Sequence, residues 1–323
     1  MNDAQWMQAA IALGQDARGR TAPNPNVGCV IVADGSEIGQ GATQAGGRPH
    51  AEAVALAAAG DRARGATAYV TLEPCAHEST RGPACSDLMI AAGIGRLVAA
   101  LGDPDPRTNG RGFDRLRDAG IAVETGLEAE SARRSLAGYL ARRTLGRPLV
   151  TLKLAMSIDG RIATAHGESK WITGEEARID AHRERAAADL VVVGSGTYRT
   201  DAPKLDVRIA GMEDRSPRRA VLTRTACPDG WTALAAPDAI FALHDVNDLM
   251  VEGGAGAASA FLAADLVDRL IVYRAPILIG DGGRGIGDFG LGPLPAAHGR
   301  WDLVDERALG IDRREVYERR REQ

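Results

Sequence analysis

Short apolar runs alternate with helix-forming stretches along the whole chain, and this alternation constrains the fold more than any other feature. Strand-like runs fall at 27–32, 68–72, 96–101 and 121–123. Helical patterns fall between them at 51–59, 86–92 and 113–119, and a further one at 4–18 sets Met7, Ala10 and Ile11 on one face. A crossover helix returns the chain to the same end of a sheet, so alternation predicts mostly parallel strands flanked by helices. Residues 126–147 read as helical and charged, and Gly146-Arg147-Pro148 punctuates their end. The alternation then restarts, with strands at 149–154, 190–193, 220–222, 249–251 and 270–273 and helices at about 175–187 and 256–265. Two α/β domains, 1–146 and 147–323, are predicted, each long enough for its own core.

The charge balance narrows the function. A formal net charge of −4 does not suit a nucleic-acid scaffold, which carries a basic excess. No run approaches the ~18 uncharged apolar residues of a membrane span. Met1 to Trp6 lacks the basic start of a signal peptide, so the cytoplasm is the expected compartment. Four cysteines, Cys29, Cys75, Cys85 and Cys227, do not make a disulfide framework in a chain of 323 residues. Cys29 lies in an apolar strand and reads as a core residue, and Cys227 beside Pro228 reads as incidental.

Cys75 and Cys85 read differently, because His50-Ala51-Glu52 and Pro74-Cys75 accompany them. One imidazole and two thiolates fill three positions of a tetrahedral Zn²⁺ and leave the fourth for water. The metal lowers that water's pKa, so hydroxide is available near neutral pH. Glu52, two residues beyond His50 at a helix start, is the candidate to pass protons to the ring nitrogen and the departing ammonia. A structural zinc site is the competing reading, but it uses four protein ligands and has no need of Glu52. The pattern His-x-Glu, then Pro-Cys and a second cysteine, is the signature of zinc nucleoside and nucleobase deaminases.

The surrounding residues resemble a narrower family. Residues 21–32, TAPNPNVGCVIV, with His50-Ala51-Glu52, Thr71-Leu72-Glu73-Pro74-Cys75-Ala76-His77, Asp103-Pro104-Asp105-Pro106 and Gly110-Arg111-Gly112, resemble the deaminase half of the bifunctional riboflavin-pathway deaminase-reductases. The resemblance implies that Asn24 and His77 hold the pyrimidine. A turn residue between prolines and a solvated loop histidine are the plain alternatives. Two departures stand out. Nine residues separate the cysteines where the family usually has eight, so Ala76 to Ala84 must bulge, with Gly82-Pro83 to allow it. Thr43 stands where the family often has a histidine.

Residues 153–163, KLAMSIDGRIA, resemble the opening strand and loop of the reductase half, which is similar in fold to dihydrofolate reductase. Gly167 to Thr173, Gly194 to Thr197, Asp201 to Arg208, Val251 to Gly254 and the stretch from Asp265 to Gly280 follow in the family's order. Val251-Glu252-Gly253-Gly254 reads as a strand end and a glycine turn before a helix near Gly256, where free N–H groups meet a phosphate. The resemblance implies that Ala155, Trp171, Thr197, Asp201 and Gly254 line an NADPH site. It assigns the substrate to Ser169, Arg185, Leu205, Arg208 and Glu252, with the guanidinium forks of Arg185 and Arg208 suited to its phosphate. Only Ile209 to Met250 separates Arg208 from Val251, shorter than the family's usual stretch, and a helix there is expected to be missing.

The expected fold is therefore an N-terminal cytidine-deaminase-like α/β/α domain followed by a dihydrofolate-reductase-like α/β domain. The resemblance implies zinc-dependent deamination of 2,5-diamino-6-(5-phosphoribosylamino)pyrimidin-4-one, then NADPH-dependent reduction of ribosylamino to ribitylamino, in an assembly of identical chains. Lys153 and Asp201 are the candidates for handling protons in the reduction. Two rivals stay open. A tRNA or mononucleotide deaminase with a degenerate reductase-like appendage shares the zinc site but leaves 149–280 unexplained. A non-catalytic zinc-stabilised nucleotide-binding module predicts that Glu52 is dispensable.

Overall fold

The structure is a computed structural model, and it describes residues 1–77, 82–225 and 227–321. The chain divides into two compact units, Met1–Gly146 and Arg147–Gln323.

The first unit opens with α1 (Asp3–Asp16), started by a reciprocal capping box between Asn2 and Gln5. Its sheet, in the order β2-β1-β3-β4-β5, comprises β1 (Gly28–Ala33), β2 (Ser36–Ala42), β3 (Thr67–Val70), β4 (Arg96–Ala99) and β5 (Ala122–Thr125). The helices α2 (Ala51–Ala59), α3 (Cys85–Ala92), α4 (Arg111–Asp118), α5 (Ala129–Ser135) and α6 (Ala137–Leu145) complete the unit. The sheet is not mostly parallel as predicted. β1 pairs antiparallel with both β2 and β3, and only β3-β4-β5 run parallel. The cause is a tight hairpin at Asp34-Gly35, both with positive φ (50° and 71°), which turns β1 straight back into β2. Cys29 and Ile31 face one apolar cluster and Val30 and Val32 the other, so β1 is buried on both faces.

The second unit carries an eight-stranded sheet in the order β10-β9-β8-β11-β6-β12-β15-β14 among the described residues. Its strands are β6 (Leu149–Ser157), β8 (Leu190–Gly194), β9 (Arg218–Leu222), β10 (Thr232–Leu234), β11 (Asp248–Val251), β12 (Arg269–Ala275), β14 (Trp301–Leu309) and β15 (Asp312–Arg319). β7 (Arg161–Ala163) and β13 (Gly283–Arg284) form a separate small ribbon. The helices are α7 (Glu175–Ala186), α8 (Ser195–Asp201) and α9 (Ala255–Ala263). From β10 to β12 every pairing is parallel, as the alternation predicts; the β14-β15 hairpin then adds an antiparallel edge. Between Arg208 and Val251 the described residues form β9, β10, β11 and short 3₁₀ turns at Glu213–Arg215 and Pro237–Ala242, with no α-helix. In open parallel sheets ligands collect beyond the carboxyl ends of the strands. Here those ends present Gly194 at the end of β8 and Glu252 just after β11. Among the described residues no helix is long and apolar enough to cross a membrane.

Candidate active sites

In the first unit two helix starts bring the metal-ligating residues together. His50 is the N-cap of α2, and Cys85 is the first residue of α3. Cys75 lies on the segment that leaves β3. Ligand atoms of His50, Cys75 and Cys85 all lie within 4.8 Å of one another. Nδ1 of His50 is 3.3 Å from the Cys85 sulfur and 3.6 Å from that of Cys75. The Cys85 backbone N–H donates to the Cys75 sulfur at 3.3 Å.

Hydrogen bonds from Cys85 and His50 outweigh burial and bring the Cys75 thiol down to about 4. The neighbouring Cys75 sulfur and burial push the Cys85 thiol well up. Burial opposes charging of His50, but the hydrogen bond to Cys75 and the charges of Glu52 and Cys75 raise it overall. Two thiols, one of them acidified by its neighbours, and an imidazole form a donor set that fits a zinc ion and releases protons when it binds.

Glu52 sits in the first turn of α2 and is 3% exposed. Burial is the main cause that pushes its carboxyl up to about 7, against the lowering effect of His50. Its Oε2 is buried without a hydrogen-bond partner. A polar atom in that state costs free energy unless a ligand meets it.

A cavity of about 170 Å³ opens on this cluster and includes Asn24, Thr43, His50, Glu52, Cys75 and His77 in its walls. The Asn24 amide donates to the Gly47 carbonyl at 2.7 Å. Gly47, with φ +84°, has no room for a Cβ, which would lie 1.9 Å from that amide nitrogen. Nδ1 of His77 is buried without a partner, and burial and Arg107 hold its pKa down. Thr43 accepts the Val27 backbone N–H at 3.1 Å, so its hydroxyl braces the wall. Of the expected Ala76–Ala84 bulge, residues 78–81 lie outside the described residues.

The sequence left other residues of this cavity without a role. The Glu73 carboxylate accepts four backbone N–H groups, from Asp103, Gly110, Gly112 and Phe113, at 2.9 to 3.3 Å. It thereby caps the start of α4, satisfying N–H groups the helix itself cannot. Asp103, Asp105, Arg107, Tyr139 and Arg143 also line the cavity. Asp103 and Asp105 belong to the Asp-Pro-Asp-Pro stretch, which had no role assigned from sequence, and Tyr139 and Arg143 reach the cavity from α6, where no local pattern marks them.

In the second unit the expected residues gather in two places. Lys153, Ala155, Ser169, Trp171, Arg185, Asp201, Leu205 and Arg208 line a cavity of about 470 Å³. Thr197 and Gly254 line a separate cleft of about 260 Å³ at the start of α9, where the Gly254 N–H donates to the Thr197 hydroxyl at 3.1 Å. Glycine-lined backbone at a helix start fits a dinucleotide's phosphates. Trp171 is 67% exposed, with the Arg178 guanidinium 4.8 Å from its ring centre. Leu205 adopts φ +55°, a strained conformation for leucine that costs about 1–3 kcal/mol and is typical of binding sites.

Arg185 differs from expectation. Its Nε and Nη2 bind the two Glu252 oxygens at 2.8 and 2.9 Å, and its Nη1 binds the Asp206 carbonyl at 2.6 Å. No free fork is left for a phosphate. Lys153 adds a second cation 3.5 Å from Glu252. Burial would raise the Glu252 carboxyl, but Lys153 and Arg185 hold it at about 2. The trio keeps a net positive charge beside the larger cavity.

The metal cluster gives one direct expectation. Cys85→Ser should lower the zinc content from about one per chain to a small fraction of that. Full retention by elemental analysis would remove Cys85 from the ligand set.

The family model for the cytidine and deoxycytidylate deaminase zinc-binding region matches residues 1–101, and that for the RibD C-terminal domain matches residues 148–305. The chain is 40% identical over 334 residues to the riboflavin biosynthesis protein RibD of Escherichia coli, covering 88% of this chain and 91% of that one. It superposes on Acinetobacter baumannii RibD with a TM-score of 0.87 at 36% identity, covering 99% of both chains. A Thermotoga maritima diaminohydroxyphosphoribosylaminopyrimidine deaminase/5-amino-6-(5-phosphoribosylamino)uracil reductase gives a TM-score of 0.87 at 29% identity, over 98% of both.

Proposed function

Because the chain belongs to the RibD family of riboflavin biosynthesis proteins, bifunctional deaminases and reductases that use zinc and NADPH, we propose that residues 1–146 carry the deamination and 147–323 the reduction. The observation that carries this reading is the meeting of His50, Cys75 and Cys85 at a cavity whose wall also holds buried Glu52, with one oxygen unpartnered. Neither rival accounts for both halves of the chain.

His50, Cys75 and Cys85 would hold the zinc, which when bound would make a water molecule acidic enough to act as nucleophile near neutral pH. Asn24 and His77 hold the pyrimidine by its polar edges. Glu52 takes a proton as the carbon–oxygen bond forms at the amine-bearing carbon. It passes protons to the ring nitrogen and to the leaving amine, which departs as ammonia. Burial suits it to this, since a carboxyl near neutrality both accepts and donates.

In the second unit, Thr197 and Gly254 with Ala155, Trp171 and Asp201 would hold NADPH, whose chemistry when bound would be hydride donation to C1′ of the opened sugar. Ser169, Leu205 and Arg208 meet the substrate, with Arg208 toward its phosphate. Arg185 serves by fixing Glu252. Lys153 and Asp201 manage the proton on the sugar nitrogen and oxygen. Reduced thiols and NADPH chemistry fit a cytoplasmic setting.

The test is to incubate the full chain with the diaminopyrimidinone ribotide, with and without NADPH, following ammonia and the absorbance of the reduced nicotinamide. Ammonia should appear in both arms, and oxidation of NADPH should follow it. Arg208→Ala should leave ammonia release intact and lower reductive efficiency about tenfold, the cost of one charge-assisted contact. A chain that releases ammonia but never oxidises NADPH would limit the reading to the first unit.

A further inference from the structure

We propose that Arg107 and Arg143, joined by Arg48, form the subsite that receives the phosphate of the deaminase substrate, so that the first unit selects its ligand by the anionic end as well as by the base. The inference rests on the deaminase reading above and names the residues that give it specificity.

The three arginines line the same cavity as Glu52 and the metal-binding residues. Their arrangement is built, not incidental. The Asp105 side chain is 3% exposed, and one of its oxygens lies 2.7 Å from Arg107 Nη2 and 2.9 Å from Arg143 Nη2. The other oxygen accepts Nε of Arg107 at 3.0 Å. Asp105 is itself held, because its N–H donates to Asp103, which also takes the Tyr139 hydroxyl at 2.8 Å. Glu73 pins the backbone at both ends of this loop.

Charge decides what the frame is for. One carboxylate needs one guanidinium to be neutralised, and Asp105 has two. Arg48 makes no ion pair with any described residue and adds a third cation to the cavity wall. Glu52, Glu73 and Asp103 also line the cavity. Glu73, however, is taken up by four backbone N–H groups, and Asp103 by the Asp105 N–H and the Tyr139 hydroxyl. The three guanidiniums of the wall thus stand against the one carboxylate of Asp105, an excess suited to a phosphate monoester of about −1.5 to −2. Nη1 of Arg107 and Nη1 of Arg143 make no hydrogen bond to a described residue, and the Arg107 side chain is 58% exposed. An arginine held by a carboxylate at one edge presents the other edge to phosphate oxygens at little further cost in side-chain freedom.

The experiment compares deamination of the ribotide with that of its dephosphorylated counterpart, using the full chain. The wild type should prefer the ribotide. Arg107→Ala with Arg143→Ala should reduce that preference about ten- to a hundredfold, mainly through KM, and the paired lysine substitutions should recover part of it. Zinc content and thermal unfolding establish that the first unit is folded. Calorimetry with ribose 5-phosphate gives a readout independent of turnover, in which the double alanine variant should lose one class of binding. An equal fall for both substrates, or an unchanged titration, overturns the subsite and leaves the arginines only as partners of Asp105. A wild type that deaminates neither compound but loses ribose 5-phosphate binding on substitution would instead remove the deaminase reading and keep the anion site.

Discussion

Glu52→Gln should retain its zinc and its fold and lose about 10²–10⁴-fold in the rate of ammonia release. The amide has nearly the shape of the carboxyl, so the 3% exposed side chain stays packed at the start of α2. The three ligand residues are untouched, which leaves the metal affinity in place. What disappears is the capacity to take up and return a proton, and Glu52 is asked to do so more than once per turnover. Ammonia release and elemental zinc, measured on the same preparation, decide the matter. Deamination within severalfold of wild type, with zinc intact, would mean that the buried carboxyl only shapes the pocket, as a non-catalytic module requires.

Glu252→Gln should destabilise the second unit by about 3–5 kcal/mol, because it leaves Arg185 and Lys153 buried without their counter-charge. The exposures are small, 8% for the Glu252 side chain, 11% for Arg185 and 19% for Lys153, so water does little to rescue the orphaned cations. The same trio predicts an acid limb. The folded-state pKa of Glu252, about 2, lies below its ordinary value of 4.5. Its contribution is therefore fully present above about 4.5 and is lost as the pH falls from there towards 2. The size is on the order of 3 kcal/mol. Urea unfolding of the second unit, followed at neutral pH and at points down this window, should show the wild type weakening while the Gln variant, already weakened, changes less. Equal midpoints at neutral pH would show that the pair is no more than a neutral contact.

What could be read from the sequence, and what could not, follows from where the signal lies. The parallel strands of the second unit are buried on both faces and show as continuous apolar runs. β2 gives no strand signal in the sequence, because Gly39 and Gly41 interrupt any apolar pattern. They serve a different need: a Cβ on either would fall within 2.6 Å of a backbone carbonyl of α2, at Ala55 and Ala51. The β14-β15 hairpin was hidden because one of its inward positions is charged. Arg314 is buried, and it binds Glu184 of α7 and Asp305 of β14 at 2.5 Å each. Ion pairs thus stand where period-two apolar residues would have announced a strand. α8, with the sequence SGTYRTD, carries no apolar stripe at all.

At the site, His50, Glu52 and the cysteines were legible because coordination chemistry imposes residue types and local order. Glu73 and Asp105 stand in the recognised motifs, but what they hold was not legible, because Glu73 meets N–H groups 30 to 40 positions away and Asp105 meets Arg143 on another element. Arg185 was legible as a cation near the ligand, but its fork belongs to Glu252, which only the folded chain reveals.

The contact at Gly112 ties these pieces together. A Cβ there would lie 2.1 Å from the carbonyl oxygen of Pro74, the residue before Cys75. Main chain therefore rests on main chain between the segment that carries a metal-binding cysteine and the start of α4, which follows the loop that carries Arg107. Side chains can repack to suit a longer or shorter guest, but two peptide units in contact cannot. The spacing between the Cys75 segment and the start of α4 is thus set by backbone and cannot widen without parting that contact.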